Sequence, residues 1–90
     1  VNIKFNMYSV YVLQGKDSKM YKGMTNDLSR RIKEHKSGKT ITTSKMENLK
    51  VVYTEECKNF IDARKREVYL KSAAGRRFLK TKLRTISSVG

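Results

Sequence analysis

Ninety residues without an internal repeat leave room for one domain and one modest core. Hydrophobic residues make up 38% of the chain and charged residues 32%, too apolar for a disordered tail, and no run approaches the ~18 apolar residues that cross a membrane. The 21 Lys and Arg against 8 Asp and Glu give a net charge of +13, a field that attracts polyanions. Nucleic acid is therefore the expected partner. The basic residues are spread along the chain, which argues against an anionic membrane, since that surface binds a concentrated basic amphipathic helix.

In chain order, residues 1–6 are expected to be an extension, either a remnant of expression or an alternative start, because the sequence opens with Val1 ahead of Met7. Residues 7–13 are rich in Tyr and Val, and residues 20–25 form a second such run. Between them Gly15-Lys16-Asp17-Ser18 has turn composition, so a β-hairpin is predicted. Asn26 or Asp27 is a good cap for a helix in which Leu28 and Ile32 recur at helical spacing until Ser37-Gly38 stops it. Residues 39–48 are polar and aperiodic, a loop. Residues 49–56 alternate and carry Val51, Val52 and Tyr53, a third strand. A second helix is predicted over residues 59–70 and a short third one over 74–83, with 84–90 as a tail. The expected fold is a single α+β domain over residues 7–83 in the order ββαβαα.

Cys57 cannot form an internal disulfide or build a metal site alone, and reads as a small apolar residue at a strand end. One cysteine fits a reducing cytoplasm. The N-terminal stretch lacks an apolar region followed by a small-residue cleavage site, so an unprocessed cytoplasmic protein is expected.

Candidate functional residues are polar side chains on faces that should be buried, because a buried polar group needs a partner or a purpose. On the second helix Phe60, Ile61, Ala63, Val68 and Leu70 share a broad stripe, and Glu67 points close to its centre. Lys71, four residues on, offers a structural pairing for it. The functional alternative is a carboxylate aimed at a metal or a reacting group. On the first helix Leu28 and Ile32 mark the buried side, and Arg31 and His35 flank it at i and i+4. A guanidinium holds phosphate bidentately and an imidazole moves protons near neutral pH. With a hairpin loop centred near Lys16, Tyr11 and Tyr21 become cross-strand neighbours on one face, bordered by Ser9, Leu13, Gly23 and Thr25.

Ser9-Val10-Tyr11, Tyr21-Lys22-Gly23, the run from Thr25 through Asp27 and Leu28 to Arg31, and Glu67, in this order and spacing, resemble the GIY-YIG nuclease superfamily and its small stand-alone bacterial members. The resemblance spans about residues 7–82 and implies a three-stranded antiparallel sheet flanked by helices. By that resemblance Tyr11 lies by the attacking water or the scissile phosphate, and Tyr21 helps orient the phosphate. Arg31 contacts the phosphate and Glu67 binds a single divalent metal. His35 stands where some members have tyrosine and others histidine. The chain departs from the pattern at Ser9 for the first glycine, Lys22 for isoleucine, and Met24 where some members carry lysine. No asparagine follows Glu67 between Val68 and Gly90.

The implied activity is endonucleolytic hydrolysis of DNA phosphodiesters using one Mg²⁺ or Mn²⁺, with structure preference or low sequence specificity. Tyr11 or His35 would be the base, and an unperturbed phenol needs a nearby metal or cation to lower its pKa. RNA is a possible substrate as well. Phosphate contacts are expected from Arg31, Arg64, Lys65, Lys71, Arg76, Arg77, Lys80 and Lys82, and should make affinity fall steeply with salt. The alternative is a nucleic-acid-binding module on the same fold with negligible cutting.

Overall fold

The computed structural model describes the backbone of residues 7–40, 43 and 46–89, and the side chains of these up to residue 83. Residues 1–6, expected to be an extension, lie outside the described residues. The elements are β1 (Tyr8–Gln14), β2 (Met20–Thr25), α1 (Leu28–Lys36), β3 (Lys50–Cys57), α2 (Phe60–Lys71) and α3 (Ala73–Val89). The fold is α+β, and the expected order ββαβαα holds. The strands form one antiparallel sheet in the order β2-β1-β3, so β1, the most apolar strand, is central.

Strand alternation sends neighbouring side chains of β1 to opposite sheet faces and thereby divides the molecule. Val10 and Val12 point to one face, where they join Ala63 and Leu70 of α2 and Leu79 of α3 in the core cluster. Tyr11 points to the other face and meets His35 of α1. Local chemistry starts and stops the helices. The Asp27 carboxylate accepts from Arg30 N at 3.1 Å and Asn59 Oδ1 from Asp62 N at 2.8 Å, each satisfying an orphan donor of the first turn. After α1, Gly38 takes φ +78°, a left-handed conformation in which glycine has no Cβ penalty.

Three expectations change. The α3 helix runs to Val89 rather than stopping at Leu83, so residues 84–89 continue it instead of forming a tail. On α2 only Ala63, Glu67 and Leu70 are buried, while Phe60, Ile61 and Val68 are more than half exposed. The seated line is narrow, with i, i+4, i+7 spacing, and Phe60, though exposed, still meets the sheet edge-on at Tyr8, with ring centroids 5.6 Å apart. On α1 the buried residue is His35, and Leu28 and Ile32 are only half-buried.

Candidate active site on the α1 face of the sheet

The hairpin register sets the site. Five residues, 15–19, connect β1 and β2, with Ser18 at φ 70°, and Gln14 pairs with Met20. Tyr11 is consequently opposite Gly23, and Leu13 is opposite Tyr21. The direct Tyr11 to Tyr21 pairing expected from a loop centred at Lys16 is thus overturned. They are instead diagonal neighbours on the same face, with ring centroids 6.1 Å apart. A Cβ at position 23 would lie 2.7 Å from Tyr11 Oη and 2.9 Å from Tyr21 Cε1, so glycine is what lets both rings lie over the strand.

The end of β2 aims α1 at these rings. Thr25 Oγ1, buried, accepts from Asp27 N at 3.1 Å and ties the helix start to the strand. Two turns later His35 is fully enclosed. Its Nε2 and Tyr11 Oη share a hydrogen bond of 2.8 Å, and its Nδ1 and Thr43 Oγ1 share one of 2.7 Å. The Tyr21 ring closes over the imidazole at a centroid distance of 4.9 Å. Arg31, one turn before His35, is one-third exposed and donates to Glu34 Oε1 at 2.9 Å.

Burial shapes the titration of this group. It pushes the Tyr11 phenol up to about 12, with Tyr21 adding to the rise, and the Arg31 guanidinium pulls it back only in part. The cation that was expected to lower this pKa is therefore present and outweighed. Burial, and then Arg31, hold His35 below the usual imidazole range against an opposing effect of Glu34, so the ring is neutral at pH 7. Hydrogen bonding to Glu34, then to Tyr11, raises the Arg31 pKa further, keeping its charge fixed.

Tyr11, Tyr21, Arg31 and His35 thus come together as the sequence suggested, whereas the ion pairs of Glu67 are with residues of its own helix. Glu67 is buried as expected, on α2, where Arg64 Nη1 meets its Oε1 at 2.7 Å and Lys71 Nζ its Oε2 at 3.6 Å. The pairing with Lys71 considered for it is present, and Arg64 is a second partner. Among the described residues no three His, Cys, Asp or Glu side chains group as a metal site. A single carboxylate still suits Mg²⁺, which keeps most of its water, and both cations on Glu67 are more than half exposed and free to swing away.

The remaining basic residues, Lys65, Arg76, Arg77, Lys80 and Lys82, are exposed on α2 and α3. Lys22 lies on this same side of β2, between Met20 and Met24 of the apolar cluster. Burial, with Arg76 and Lys71 nearby, lowers its pKa. Met24 is half-buried and packs against the core cluster, which accounts for its apolar character. Sequence analysis missed Thr43, which sits in the stretch taken as featureless loop. Only its burial distinguishes it, and no periodicity carries that signal.

An antiparallel sheet with two tyrosines on one face, a helical arginine and histidine above them and a carboxylate on a later helix define a nuclease-type domain, and the chain belongs to the GIY-YIG family. The model of the GIY-YIG catalytic domain matches residues 7–81. Within that family the chain is similar to small bacterial proteins named UPF0213. One from Clostridium perfringens is 39% identical over 66 residues, 72% of this chain and 71% of that one. UPF0213 protein YazA of Bacillus subtilis is 33% identical over 67 residues, 73% of this chain and 68% of YazA. The solution NMR structure of a UPF0213 protein from Bacillus halodurans superposes with a TM-score of 0.54 at 32% identity, covering 83% of each chain. No helix among the described residues is long and apolar enough to cross a membrane.

Proposed function

We propose that this protein is an endonuclease that hydrolyses DNA phosphodiesters with one Mg²⁺ or Mn²⁺ held at Glu67. The observation that carries this reading is the buried hydrogen bond between Tyr11 and His35 with Arg31 beside it, an arrangement of proton acceptor and fixed cation that a merely structural core does not need. Arg31 binds the scissile phosphate and neutralises charge that builds on it, for which Glu34 must release the guanidinium. Tyr21 covers His35 and helps to orient the phosphate. Tyr11 accepts a proton from the attacking water as its own moves to His35 Nε2. Neither group then has to be ionised beforehand, which suits a phenol raised and an imidazole lowered by burial. The ion at Glu67 would stabilise charge on the leaving oxygen. The cations of α2 and α3, Arg64, Lys65, Lys71, Arg76, Arg77 and Lys80, hold flanking phosphates without reading sequence.

One observation favours the second reading, a nucleic-acid-binding module that does not cut: Arg64 and Lys71 already occupy both oxygens of Glu67. Incubating pure protein with supercoiled, branched and single-stranded DNA, in Mg²⁺, in Mn²⁺ and with chelator, separates the two. Hydrolysis predicts nicks that require the ion and track the protein through purification. The binding module predicts salt-sensitive complexes and intact DNA under every condition.

A further inference from the structure

We propose that Thr43 is the outer member of a three-residue proton wire, Tyr11, His35 and Thr43, which carries the proton of the attacking water to solvent in the cavity that His35 and Thr43 line. The proposal rests on the nuclease reading above and assigns it a route for the proton. Both links are short, 2.8 Å from Tyr11 Oη to His35 Nε2 and 2.7 Å from His35 Nδ1 to Thr43 Oγ1, and all three side chains are at most 1% exposed. The chain of bonds can run in either direction. In one state Tyr11 O–H donates to Nε2 and Nδ1–H donates to Thr43 Oγ1. In the other the Thr43 hydroxyl donates to Nδ1 and Nε2–H donates to Tyr11 Oη.

Passing from the first state to the second moves one proton with no net charge left behind. Tyr11 Oη takes a proton from water and gives its own to Nε2, Nδ1 gives its proton to Thr43 Oγ1, and Thr43 gives its own to solvent. Each group gains one proton and loses one, and the hydroxide formed attacks phosphorus. A neutral wire suits this place. His35 is faced by Tyr11 of β1, Tyr21 of β2 and Arg31 and Glu34 of its own helix, where burial and the Arg31 charge oppose a lasting imidazolium.

An exit exists. His35 and Thr43 both line a cavity of about 280 Å³ that is bordered also by Lys36, Asn48 and Gly38, polar and roomy enough for several waters at about 30 Å³ each. Two backbone hydrogen bonds hold Thr43 in place, its N–H donating to Thr40 O at 3.1 Å and its carbonyl accepting from Met46 N at 3.0 Å. Thr40 Oγ1 in the same loop is buried without a partner among the described residues, a group that calls for water.

Thr43→Val keeps the shape and removes the hydroxyl, and Thr43→Ser keeps the hydroxyl. Under the wire, Thr43→Val lowers the single-turnover nicking rate by about 100-fold with DNA affinity unchanged, and it reduces the number of protons contributing to the solvent deuterium isotope effect. Thr43→Ser stays within about 3-fold of wild type. A wild-type rate for Thr43→Val, or an equal loss in Thr43→Ser, overturns the proposal, the second outcome leaving only packing. The imidazole nitrogen shifts of His35 decide independently of cutting. The wire predicts wild-type values averaged between two tautomers, collapsing to one in Thr43→Val. One tautomer in wild type, unaltered by Thr43→Val, rejects the wire even if DNA is cut. If wild type cuts nothing while the averaging is present, the nuclease reading fails and takes the wire's role in hydrolysis with it, and only the two-way hydrogen-bonded chain stands.

Discussion

On the α1 face of the sheet, Tyr11, His35 and Thr43 are joined by short hydrogen bonds inside the protein, whereas on the α2 face Glu67 is met by Arg64 and Lys71, whose side chains are more than half exposed. The first group is fixed by packing and loses much if one atom is removed, because a buried polar group is left without its partner. The second is held by exposed ions that exchange for other ions or water at little cost. The molecule thus combines a rigid, enclosed hydrogen-bonded group with a carboxylate that can change partners. The hydrolysis proposed above would draw on both properties.

The comparison breaks most readily at Glu67. Glu67→Gln removes the charge that a divalent cation needs while keeping the shape, so metal-dependent nicking should vanish while DNA affinity holds or rises. Because Arg64 and Lys71 can return to solvent, the thermal stability should change by about 1 kcal/mol or less. A large drop in melting temperature with nicking intact would mean that Glu67 is only a buried structural pair.

Arg31→Ala is expected to lower nicking by about 100-fold or more, the scale of losing a charge stabiliser. It should also weaken DNA binding several-fold, as loss of about one charged hydrogen bond does. Its double effect, measured by single-turnover rates and by titration with DNA, distinguishes a phosphate ligand from Glu67, whose loss should not weaken binding.

Gly23→Ala tests the packing of the α1 face. The new methyl would stand 2.7 Å from Tyr11 Oη, so the ring must shift and its bond to His35 must lengthen or break. Overpacking of this kind costs about 1–3 kcal/mol, readable in a denaturant titration, and nicking should fall more than DNA affinity. Equal losses of both would place the role of Gly23 in the fold as a whole.

The smallest effect is on pH-dependent stability. His35 has its folded pKa below its unfolded value of about 6.5, so the unfolded chain binds more protons between the two. The stability from the neutral buried ring is present above about pH 6.5 and is lost as pH falls through the folded pKa. Tyr11 acts at the other end, since its pKa of about 12 in the fold exceeds the unfolded 10.0, and its contribution is lost as pH rises from about 10 to 12. Replacing His35 by Gln should flatten the acid limb of a melting-temperature profile and leave the alkaline limb.

Periodicity, caps and turn composition made most of this fold legible, because they are local. β2 falls on the residues expected, Asp27 and Asn59 cap the helices, and the element order is as read. The register of the hairpin was not legible. It depends on a five-residue connection with a left-handed Ser18, a residue with no strong preference for that conformation, and a change of one in the loop centre decides what faces Tyr11. Four candidate site residues were found because alternation and helical spacing bring them to one face. Thr43 was invisible, since its partner is eight positions away across the end of a helix and nothing in a polar loop marks one threonine as buried. The pairing of Glu67 with Arg64 was missed because only the neighbour four residues on, Lys71, was weighed, and Arg64 stands three residues before it.

The most direct test of the central claim, that chemistry is done on the α1 face, is the single-turnover rate of Mg²⁺-dependent nicking by Tyr11→Phe at saturating supercoiled DNA. Removing one oxygen deletes the hydrogen bond to His35 and leaves the ring against Gly23 and Tyr21. The account predicts a rate lower by about 100-fold or more with unchanged DNA affinity. A Tyr11→Phe protein that nicks at the wild-type rate contradicts it.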